Sequence, residues 1–533
     1  MASRSSKGIL KKPRRKPPSV TSNSSNSSWL ARIQSRFYAS TDFHTVPALT
    51  RQELKRVTFA VCDFKTEHIL DDLREQVDHS NGDQRIAKDD DDFGELYKQA
   101  CRLVEEPPLE CFMNLLQQSF PRYSQLSVVD LSGQSIGATQ MEPIANILAV
   151  SPNLKNIKLA RCGLDDESAR VLLHDLLLYD HVTELCLEDN PFKSQGFKYI
   201  AIFINHSHSI KKLDISHCMI DKKGMHYLSH AIHTSPSLER LHMDHCSLKP
   251  SLIEILAGGA RQSASLRHLS IRHNRITPKG APWLAAMLVS DEPIEVYWQS
   301  RAYVRRGIRI LDLTGNELQG AITSLAQALA GNKTLTHLIL SQCQLHAEDC
   351  TTLADALLHN RHLQVLDISG NHMLKNSDQG IQAFKCALSR NHFLRELNLS
   401  NTDLDSSAAI ALAECLPENS TLLRLDLSQN PRITLAGVLA LSISVKMNHT
   451  LTFLDINIPP DDDEIAQLQN QIVAICTRNM QQSYDIHSHG ENEDRKEASL
   501  SSCIIPANNQ QQQGAGVDSY VVDHASSCVL PVS

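Results

Sequence analysis

A pattern of apolar residues that recurs about every 28 residues constrains this sequence more than any other feature. In the first unit, apolar residues occupy the first, fourth and sixth positions, as Leu126, Val129 and Leu131. Eleven full frames and one partial frame follow this rule, beginning at Leu126, Leu154, Val182, Ile210, Leu238, Leu266, Ile308, Leu335, Leu363, Leu394, Leu422 and, for the partial unit, Leu451. One unit cannot bury its apolar residues alone, so the units must stack into a single solenoid.

The ninth position of the frame predicts how the chain turns after each apolar strand. A small polar or thiol side chain is expected there, because it must lie inside and satisfy backbone groups of the turn. Most frames hold Asn or Cys at this position: Cys162, Asn190, Cys218, Cys246, Asn274, Asn316, Cys343, Asn371 and Asn430. We therefore interpret these four cysteines as structural, and we expect neither catalysis nor metal binding from them.

A stretch with helical periodicity follows each turn, as in residues 169–179 and 320–330. The unit length is similar to that of the ribonuclease-inhibitor class of leucine-rich repeats and leaves room for a full α-helix. The predicted fold is therefore an α/β leucine-rich-repeat solenoid. The resemblance implies a horseshoe with parallel strands on its concave face and helices on its convex face.

The segments around the repeats divide the chain into five predicted parts. Residues 1–90 form a basic arm that we expect to be disordered, and residues 91–125 form a helical cap. The repeats, about 12 in number, occupy residues 126–457. A capping helix over 458–480 and a Gln- and Ser-rich tail over 481–533, expected to be disordered, complete the chain.

An insertion interrupts the repeats near residues 290–307. The frames at Leu266 and Ile308 are 42 residues apart rather than 28, which leaves 14 additional residues. Aromatic and arginine residues such as Trp298 and Arg301 are frequent in this stretch, as they are in protein interfaces. A surface loop whose aromatic residues pack on the neighbouring helix explains the composition equally well.

Charge and hydropathy indicate the compartment and the class of partner. The first 37 residues hold nine Lys or Arg and no acidic residue, whereas the whole chain has a net charge of −8. We expect an intracellular protein, because no secretory signal and no membrane-spanning stretch are visible. The basic run Lys11 to Lys16 resembles a nuclear localisation signal, so the cytoplasm, the nucleus or both are expected. Neither a membrane nor a nucleic acid is expected as a partner.

Lys55, Arg56, Val57, Thr58 and Phe59 match the RVxF motif with which many proteins dock on protein phosphatase 1. In an extended peptide, alternate side chains point the same way, so Val57 and Phe59 can enter two apolar pockets together. The two basic residues before them would meet acidic groups around the groove. Thr58 follows a basic pair, and its phosphorylation is expected to weaken docking.

A second short motif precedes the first in the same arm. Gly8, Ile9, Leu10 and Lys11 resemble the [GS]-I-L-[KR] element of several phosphatase 1 partners, which also lies N-terminal to the RVxF motif. Two weak contacts on one chain strengthen binding through effective concentration. The two motifs in this order are more specific than either alone.

These features together resemble the family of leucine-rich-repeat regulatory subunits of protein phosphatase 1. The resemblance is carried by the motif at 56–59, the helix-forming stretch at 97–101 and the last repeats up to Asp455. It implies a regulatory subunit that binds the catalytic subunit of protein phosphatase 1 and inhibits or redirects its activity. The repeats would then be a protein-binding scaffold for a further, unidentified protein.

No catalytic, cofactor-binding or metal-binding signature is found in the sequence, so we do not expect an enzyme, a cofactor or a metal site. The pairs His206/His208 and His487/His489 lack a plausible third ligand nearby. Two alternatives within the same fold stay open: a GTPase-activating protein of the Ran type, and a ciliary or cytoskeletal scaffold. The first predicts repeats close to the N-terminus and a strongly acidic tail, and this sequence has neither.

Overall fold

The computed structural model describes residues 93–119, 126–151, 153–289, 307–372, 378–457 and 462–488. The predicted arm at 1–90, nearly all of the predicted insertion and the tail after residue 488 lie outside the described residues. The described residues comprise the repeats and the helices at their two ends.

Short strands and longer helices alternate through the repeats, as the sequence predicts. The strands are β1 Val128–Asp130, β2 Asn156–Lys158, β3 Glu184–Cys186, β4 Lys212–Asp214, β5 Arg240–His242, β6 His268–Ser270, β7 Ile310–Asp312, β8 His337–Ile339, β9 Val365–Asp367, β10 Glu396–Asn398, β11 Arg424–Leu427 and β12 Phe453–Ile456. The helices that precede or follow them are α1 Phe93–Leu103, α2 Glu110–Ser119, α3 Ala138–Val150, α4 Asp166–Tyr179, α5 Ser194–His206, α6 Lys222–Thr234, α7 Pro250–Gln262, α8 Ala281–Leu288, α9 Ile322–Gly331, α10 Ala347–His359, α11 Asp378–Arg390, α12 Ser406–Cys415, α13 Leu435–Met447 and α14 Asp463–Ser488.

All the described strands form one parallel sheet, in the order in which they occur along the chain. Each pair is in the same register, so the central residue of one strand faces the central residue of the next. Val129 pairs with Ile157 at the start of the sheet, and Leu425 pairs with Leu454 at its end. The predicted fold class, a leucine-rich-repeat solenoid of the ribonuclease-inhibitor type, is confirmed.

The core lies between the sheet and the helices and is almost wholly aliphatic. The first, fourth and sixth positions of the frames are buried, as in the second unit, where Leu154, Ile157 and Leu159 are fully inaccessible to solvent. The inner faces of the helices complete this core, with α4 contributing Leu172 and Leu176. Burying each such side chain stabilises the fold by about 1.5–3 kcal/mol before the loss of chain entropy is counted.

The ninth positions form a buried ladder that joins successive repeats. Nδ2 of Asn190 donates to the carbonyl oxygens of Leu159 and Leu187, at 2.8 and 2.9 Å. Its Oδ1 accepts the backbone N–H groups of Cys162 and Leu164, at 3.2 and 2.9 Å. Where the position is cysteine, as at Cys343, the thiol lies 3.1 Å from a carbonyl oxygen of the preceding repeat. The predicted structural role of these residues is confirmed.

From residue 93, where the described part of the chain begins, two helices precede the first strand, and the Pro107–Pro108 pair lies between them. Tyr97 of α1 and Phe112 of α2 pack edge to face, with ring centroids 4.9 Å apart. The Tyr97 hydroxyl accepts the backbone N–H of Leu109 at 3.0 Å, which fixes the start of α2. Both rings are buried, so the two helices cover apolar residues at this end of the repeats.

Helix α14 follows the last strand and is longer than the sequence analysis predicts. Asn479 Nδ2 donates to the carbonyl oxygens of Asn448 and Leu451, at 3.1 and 2.9 Å, which attaches this helix to the last repeat. The helix continues to Ser488, eight residues past the predicted boundary at residue 480. No Gly or Pro occurs between 480 and 489, and Gly490 is the first residue that would end the helix.

Candidate protein-binding surface

The side of the sheet that faces away from the helices is a continuous surface of the twelve described strands, which we call the strand face. Because the central residue of each strand is buried, the residues before and after it point outward. The first row consists of Val128, Asn156, Glu184, Lys212, Arg240, His268, Ile310, His337, Val365, Glu396, Arg424 and Phe453. The second row consists of Asp130, Lys158, Cys186, Asp214, His242, Ser270, Asp312, Ile339, Asp367, Asn398, Asp426 and Asp455.

A network of charged residues lies in the middle of the strand face. Arg272 Nε donates to Asp312 Oδ2 at 2.6 Å and lies 3.9 Å from Asp244 Oδ2. Asp244 Oδ1 accepts the Ser270 hydroxyl at 2.6 Å and the Arg272 backbone N–H at 2.8 Å. The Thr314 hydroxyl donates to Asp312 at 2.7 Å. These contacts hold the side chains in place, so this part of the surface is ordered before any partner binds.

Three histidines stack beside this network. His217, His245 and His273 occupy the eighth position of three successive frames, and their ring centroids are 4.4 and 4.6 Å apart with nearly parallel planes. All three backbones have positive φ, between 50° and 60°. In the next frame the position is Gly315, where a Cβ atom would overlap the His273 ring. Burial lowers the pKa of His245, and the neighbouring imidazoles lower it further.

A second pair of histidines lies within the strand rows. The ring centroids of His242 and His268 are 5.2 Å apart. Burial lowers the pKa of His242, and burial together with His242 lowers the pKa of His268 to about 4. Both imidazoles are therefore neutral near pH 7 and offer one hydrogen-bond donor and one acceptor each.

The two ends of the strand face also carry paired charges. Near the N-terminal end, Glu184 accepts hydrogen bonds from Asn156 at 3.1 Å and from Arg240 at 3.0 Å. Near the C-terminal end, the Arg424 guanidinium lies 4.2 Å from the centroid of the Phe453 ring and 3.7 Å from the Glu396 carboxylate. Arginine and aromatic side chains held in this way are typical of surfaces that bind proteins.

One group on the strand face has the composition of a metal site. Cys186, Glu188 and Asp214 place a thiol and two carboxylates within 4.8 Å of one another. The sequence analysis predicts no metal site and does not single out these residues. Their proximity follows from the register, in which Cys186 is paired with Asp214.

The structure does not describe the docking residues predicted from the sequence. Gly8 to Lys11 and Lys55 to Phe59 lie outside the described residues. The histidine stack was missed by the sequence analysis, although a signal for it exists. Histidine recurs at the eighth position of three frames that are 28 residues apart, and equivalent positions of adjacent repeats are neighbours in space.

Comparison with known proteins agrees with this geometry. The sequence pattern of the family described as "Leucine Rich repeat" matches residues 206–229, 262–281, 331–354, 359–384, 390–413 and 418–442. Each segment begins four residues before the start of one of six frames, those at Ile210, Leu266, Leu335, Leu363, Leu394 and Leu422. The chain contains leucine-rich repeats.

Its relatives among characterised proteins share the repeats over part of their length. This leucine-rich-repeat protein is 26 % identical to the human NACHT, LRR and PYD domains-containing protein 13 over 312 residues, which cover 58 % of this chain and 23 % of that protein. It is 33 % identical to the mouse ribonuclease inhibitor over 129 residues, which cover 24 % of this chain and 28 % of that protein. The matched stretches therefore span about a quarter of the length of each relative.

One solved structure that aligns with this chain is the yeast Rad7 and Elc1 complex. The TM-score is 0.35 at 14 % identity, with 77 % of this chain and 93 % of that chain covered. Among the described helices of this leucine-rich-repeat protein, none combines the length and the hydrophobicity that a membrane crossing requires.

Proposed function

We propose that this leucine-rich-repeat protein is a non-catalytic regulatory subunit of protein phosphatase 1. In this proposal the segment before the repeats docks on the catalytic subunit, and the strand face binds a second protein. The observation that carries the phosphatase assignment is the ordered pair of motifs, Gly8 to Lys11 followed by Lys55 to Phe59. The resemblance to leucine-rich-repeat regulatory subunits of protein phosphatase 1 supports it.

The docking chemistry depends on two apolar side chains. In an extended peptide Val57 and Phe59 project to the same side, where each can fill a pocket of the catalytic subunit. Their burial stabilises a complex by roughly 1.5–3 kcal/mol each, less the entropy of ordering the peptide. Lys55 and Arg56 add attraction to acidic groups and accelerate association.

The strand face supports the scaffold part of the proposal. It offers twelve parallel strands with two rows of outward side chains, and its central charges and imidazoles are held by hydrogen bonds and ring stacking. A preorganised surface loses little side-chain entropy when a partner binds. From Phe59 to the start of α1 the chain can span at most about 120 Å, so both contacts can form in one complex.

Calorimetry with purified protein phosphatase 1 catalytic subunit tests the docking segment. The full chain is compared with the variant Val57→Ala/Phe59→Ala, which removes both anchoring side chains. By the precedent of large-to-small substitutions, we expect a loss of roughly 3–5 kcal/mol, which lowers the affinity at least about 100-fold. A matched control is Phe43→Ala/Val46→Ala, which removes the same two residue types from the same arm outside the motif.

The control variant is expected to bind like the full chain. Equal affinities of all three proteins, or no binding by the full chain, would contradict the phosphatase assignment and leave the scaffold alone. If docking depends on the motif, phosphatase activity on several substrates then distinguishes inhibition from redirection. General inhibition lowers every rate, whereas redirection lowers some rates and raises others.

A further inference from the structure

Three side chains of neighbouring repeats form what we call the Cys186 cluster: Cys186, Glu188 and Asp214. Their ligand atoms, one sulfur and two carboxylate oxygens, all lie within 4.8 Å of one another. Cys186 and Asp214 are register partners on β3 and β4, so adjacent strands of the sheet hold their backbones side by side. Glu188 lies two residues after Cys186, and its side chain reaches the same point of the strand face.

A fourth donor lies next to the cluster. His217 Nε2 is 3.9 Å from Glu188 Oε1. The His217 ring is also stacked on His245, with the centroids 4.4 Å apart, which limits the orientations that the imidazole can take. The four residues follow the pattern Cys-x-Glu in one repeat and Asp-x-x-His in the next.

We propose that the Cys186 cluster, together with His217, binds one divalent transition-metal ion of the zinc class. One thiolate, one imidazole and carboxylate oxygens are the ligands that Zn²⁺ accepts in proteins, at about 2.0–2.3 Å. Hard cations such as Mg²⁺ and Ca²⁺ prefer oxygen donors alone, so the thiol selects against them. Three of the donor atoms lie within 4.8 Å of one another, and His217 Nε2 lies 3.9 Å from one of the Glu188 carboxylate oxygens.

The electrostatics of the cluster favour a cation. The Asp214 and Glu188 carboxylates lie beside the Cys186 thiol and concentrate negative charge at this point of the strand face. Arg161, Lys212 and His217 partly offset this negative charge. A dication at the centre would remove the repulsion between the ligands and release the thiol proton to solvent as the metal–sulfur bond forms.

Cobalt(II) is the probe for the test, because a thiolate ligand gives Co²⁺ a charge-transfer absorption in the near ultraviolet. The full chain, freed of metal with a chelator, is titrated with Co²⁺ and then with Zn²⁺. We expect one equivalent of Co²⁺ to produce the thiolate absorption and Zn²⁺ to remove it by displacement. The variant Cys186→Ser should lose this absorption, whereas Cys386→Ser, at an exposed thiol on α11, should retain it.

The carboxylates are tested with substitutions that preserve the fold. Asp214 Oδ1 accepts the backbone N–H of Ser216 at 3.0 Å, and Asn398 makes the equivalent bond to Ser400 at 3.0 Å, so Asp214→Asn keeps this contact. We expect Asp214→Asn and Glu188→Gln each to weaken Co²⁺ binding at least about 10-fold. Even the loss of a residue that only hydrogen-bonds to a metal ligand lowers metal affinity by about this factor. Unfolding without metal should be unchanged.

Two results would overturn the proposal. One is the absence of a thiolate absorption in the full chain with Co²⁺. The other is an absorption that persists in Cys186→Ser, because the metal would then be bound by a different thiol. Both results are independent of phosphatase docking, since the cluster is far along the sequence from Val57 and Phe59.

Discussion

Arg272 Nε lies 2.6 Å from Asp312 Oδ2, and the Asp312 side chain is only 2 % exposed. The guanidinium is therefore the cation that offsets a carboxylate buried in the middle of the strand face. Two repeats are joined by this pair, because Arg272 belongs to the sixth frame and Asp312 to the seventh. Removing the Arg272 guanidinium should therefore lower both the stability of the repeats and the order of the strand face.

Replacing Arg272 with Met is expected to lower the free energy of unfolding by about 2 kcal/mol. Removing one partner of a wholly buried ion pair costs about 3–5 kcal/mol, and the loss is smaller here because the arginine side chain is 34 % exposed. Urea unfolding measures the change. Arg240→Met is the matched control, since its pair with Glu184 is more exposed and should matter by less than about 1 kcal/mol. Equal effects of the two substitutions would contradict this account.

The buried ladder at the ninth positions predicts that Asn316→Ala lowers the free energy of unfolding more than Arg272→Met does. Asn316 donates to the carbonyl oxygens of Ile271 and Leu313, and its Oδ1 accepts the N–H groups of Asn274 and Ile276. Alanine would leave four buried backbone groups without this partner, so we expect a loss of about 3–5 kcal/mol. The midpoint of urea unfolding reports it.

Asn316→Cys provides the comparison for that substitution. Four frames carry cysteine at this position, and Cys343 shows that a thiol there approaches a carbonyl oxygen of the preceding repeat. The cysteine variant should therefore be more stable than the alanine variant. An equal loss in both would show that the amide hydrogen bonds contribute little.

The stability of the repeats should fall as the pH is lowered from about 6.5 towards 4. The pKa of His268 is lowered to about 4 in the folded protein, from 6.5 in the unfolded chain, mainly by burial. The unfolded chain therefore takes up a proton first, and the unfolding free energy drops through this window by at most about 1.4 kcal/mol per pH unit from this group. Below pH 4 both states are protonated and the contribution no longer changes.

His268→Gln removes this titration and should flatten the dependence of unfolding free energy on pH. The groups that face His268, namely His242, Asp312, Arg240 and Arg272, remain in this variant. His226→Gln, on the exposed side of α6, is the control and should leave the pH dependence as it is. A slope between pH 6.5 and 4 that is the same in His268→Gln as in the parent would show that another group is responsible.

The thiols of the folded chain should differ sharply in reactivity. Burial raises the pKa of both Cys218 and Cys343 to about 12, so little thiolate forms near pH 8 and access is blocked as well. Cys386 is exposed on α11. Brief treatment with iodoacetamide followed by mass spectrometry should modify Cys386 and spare the two ladder cysteines. In urea all three should react, and equal labelling without urea would contradict the described burial.

Phosphorylation of Thr58 should weaken phosphatase docking, if docking occurs as proposed. A phosphate adds about −1.5 to −2 charges between Val57 and Phe59, at a place where the proposal puts apolar pockets and acidic groups. Fluorescence anisotropy with peptides spanning residues 50–65 compares the plain and phosphorylated forms. A Thr50-phosphorylated peptide carries the same charge outside the motif and should bind like the plain one. Equal affinities of the Thr58-phosphorylated and plain peptides would contradict the prediction.

The repeat period was sufficient to predict the sheet, because its strands are defined by local apolar positions. The first, fourth and sixth positions gave the buried residues, and the ninth position gave the ladder that Asn190 illustrates. Most of the strand face could not be predicted in the same way. Whether Arg272 pairs with Asp312 depends on side-chain rotamers and on a residue 40 positions away. The periodic pattern of apolar residues predicts neither of these.

The Cys186 cluster could be predicted only in part from the sequence. The period places Cys186 beside Asp214, which are 28 residues apart, and this neighbourhood was available from the sequence. The positions of Glu188 and His217 depend on backbone turns after the strands, where His217 adopts a φ of 60°. An apolar period carries no information about such turns.

Strand pairing between β6 and β7 is independent of the length of chain that joins them. Leu269 pairs with Leu311 in the register used everywhere else in the sheet, although these residues are 42 rather than 28 apart. The sheet thus accommodates 14 additional residues in this connection, and both rows of outward side chains continue past it without a break.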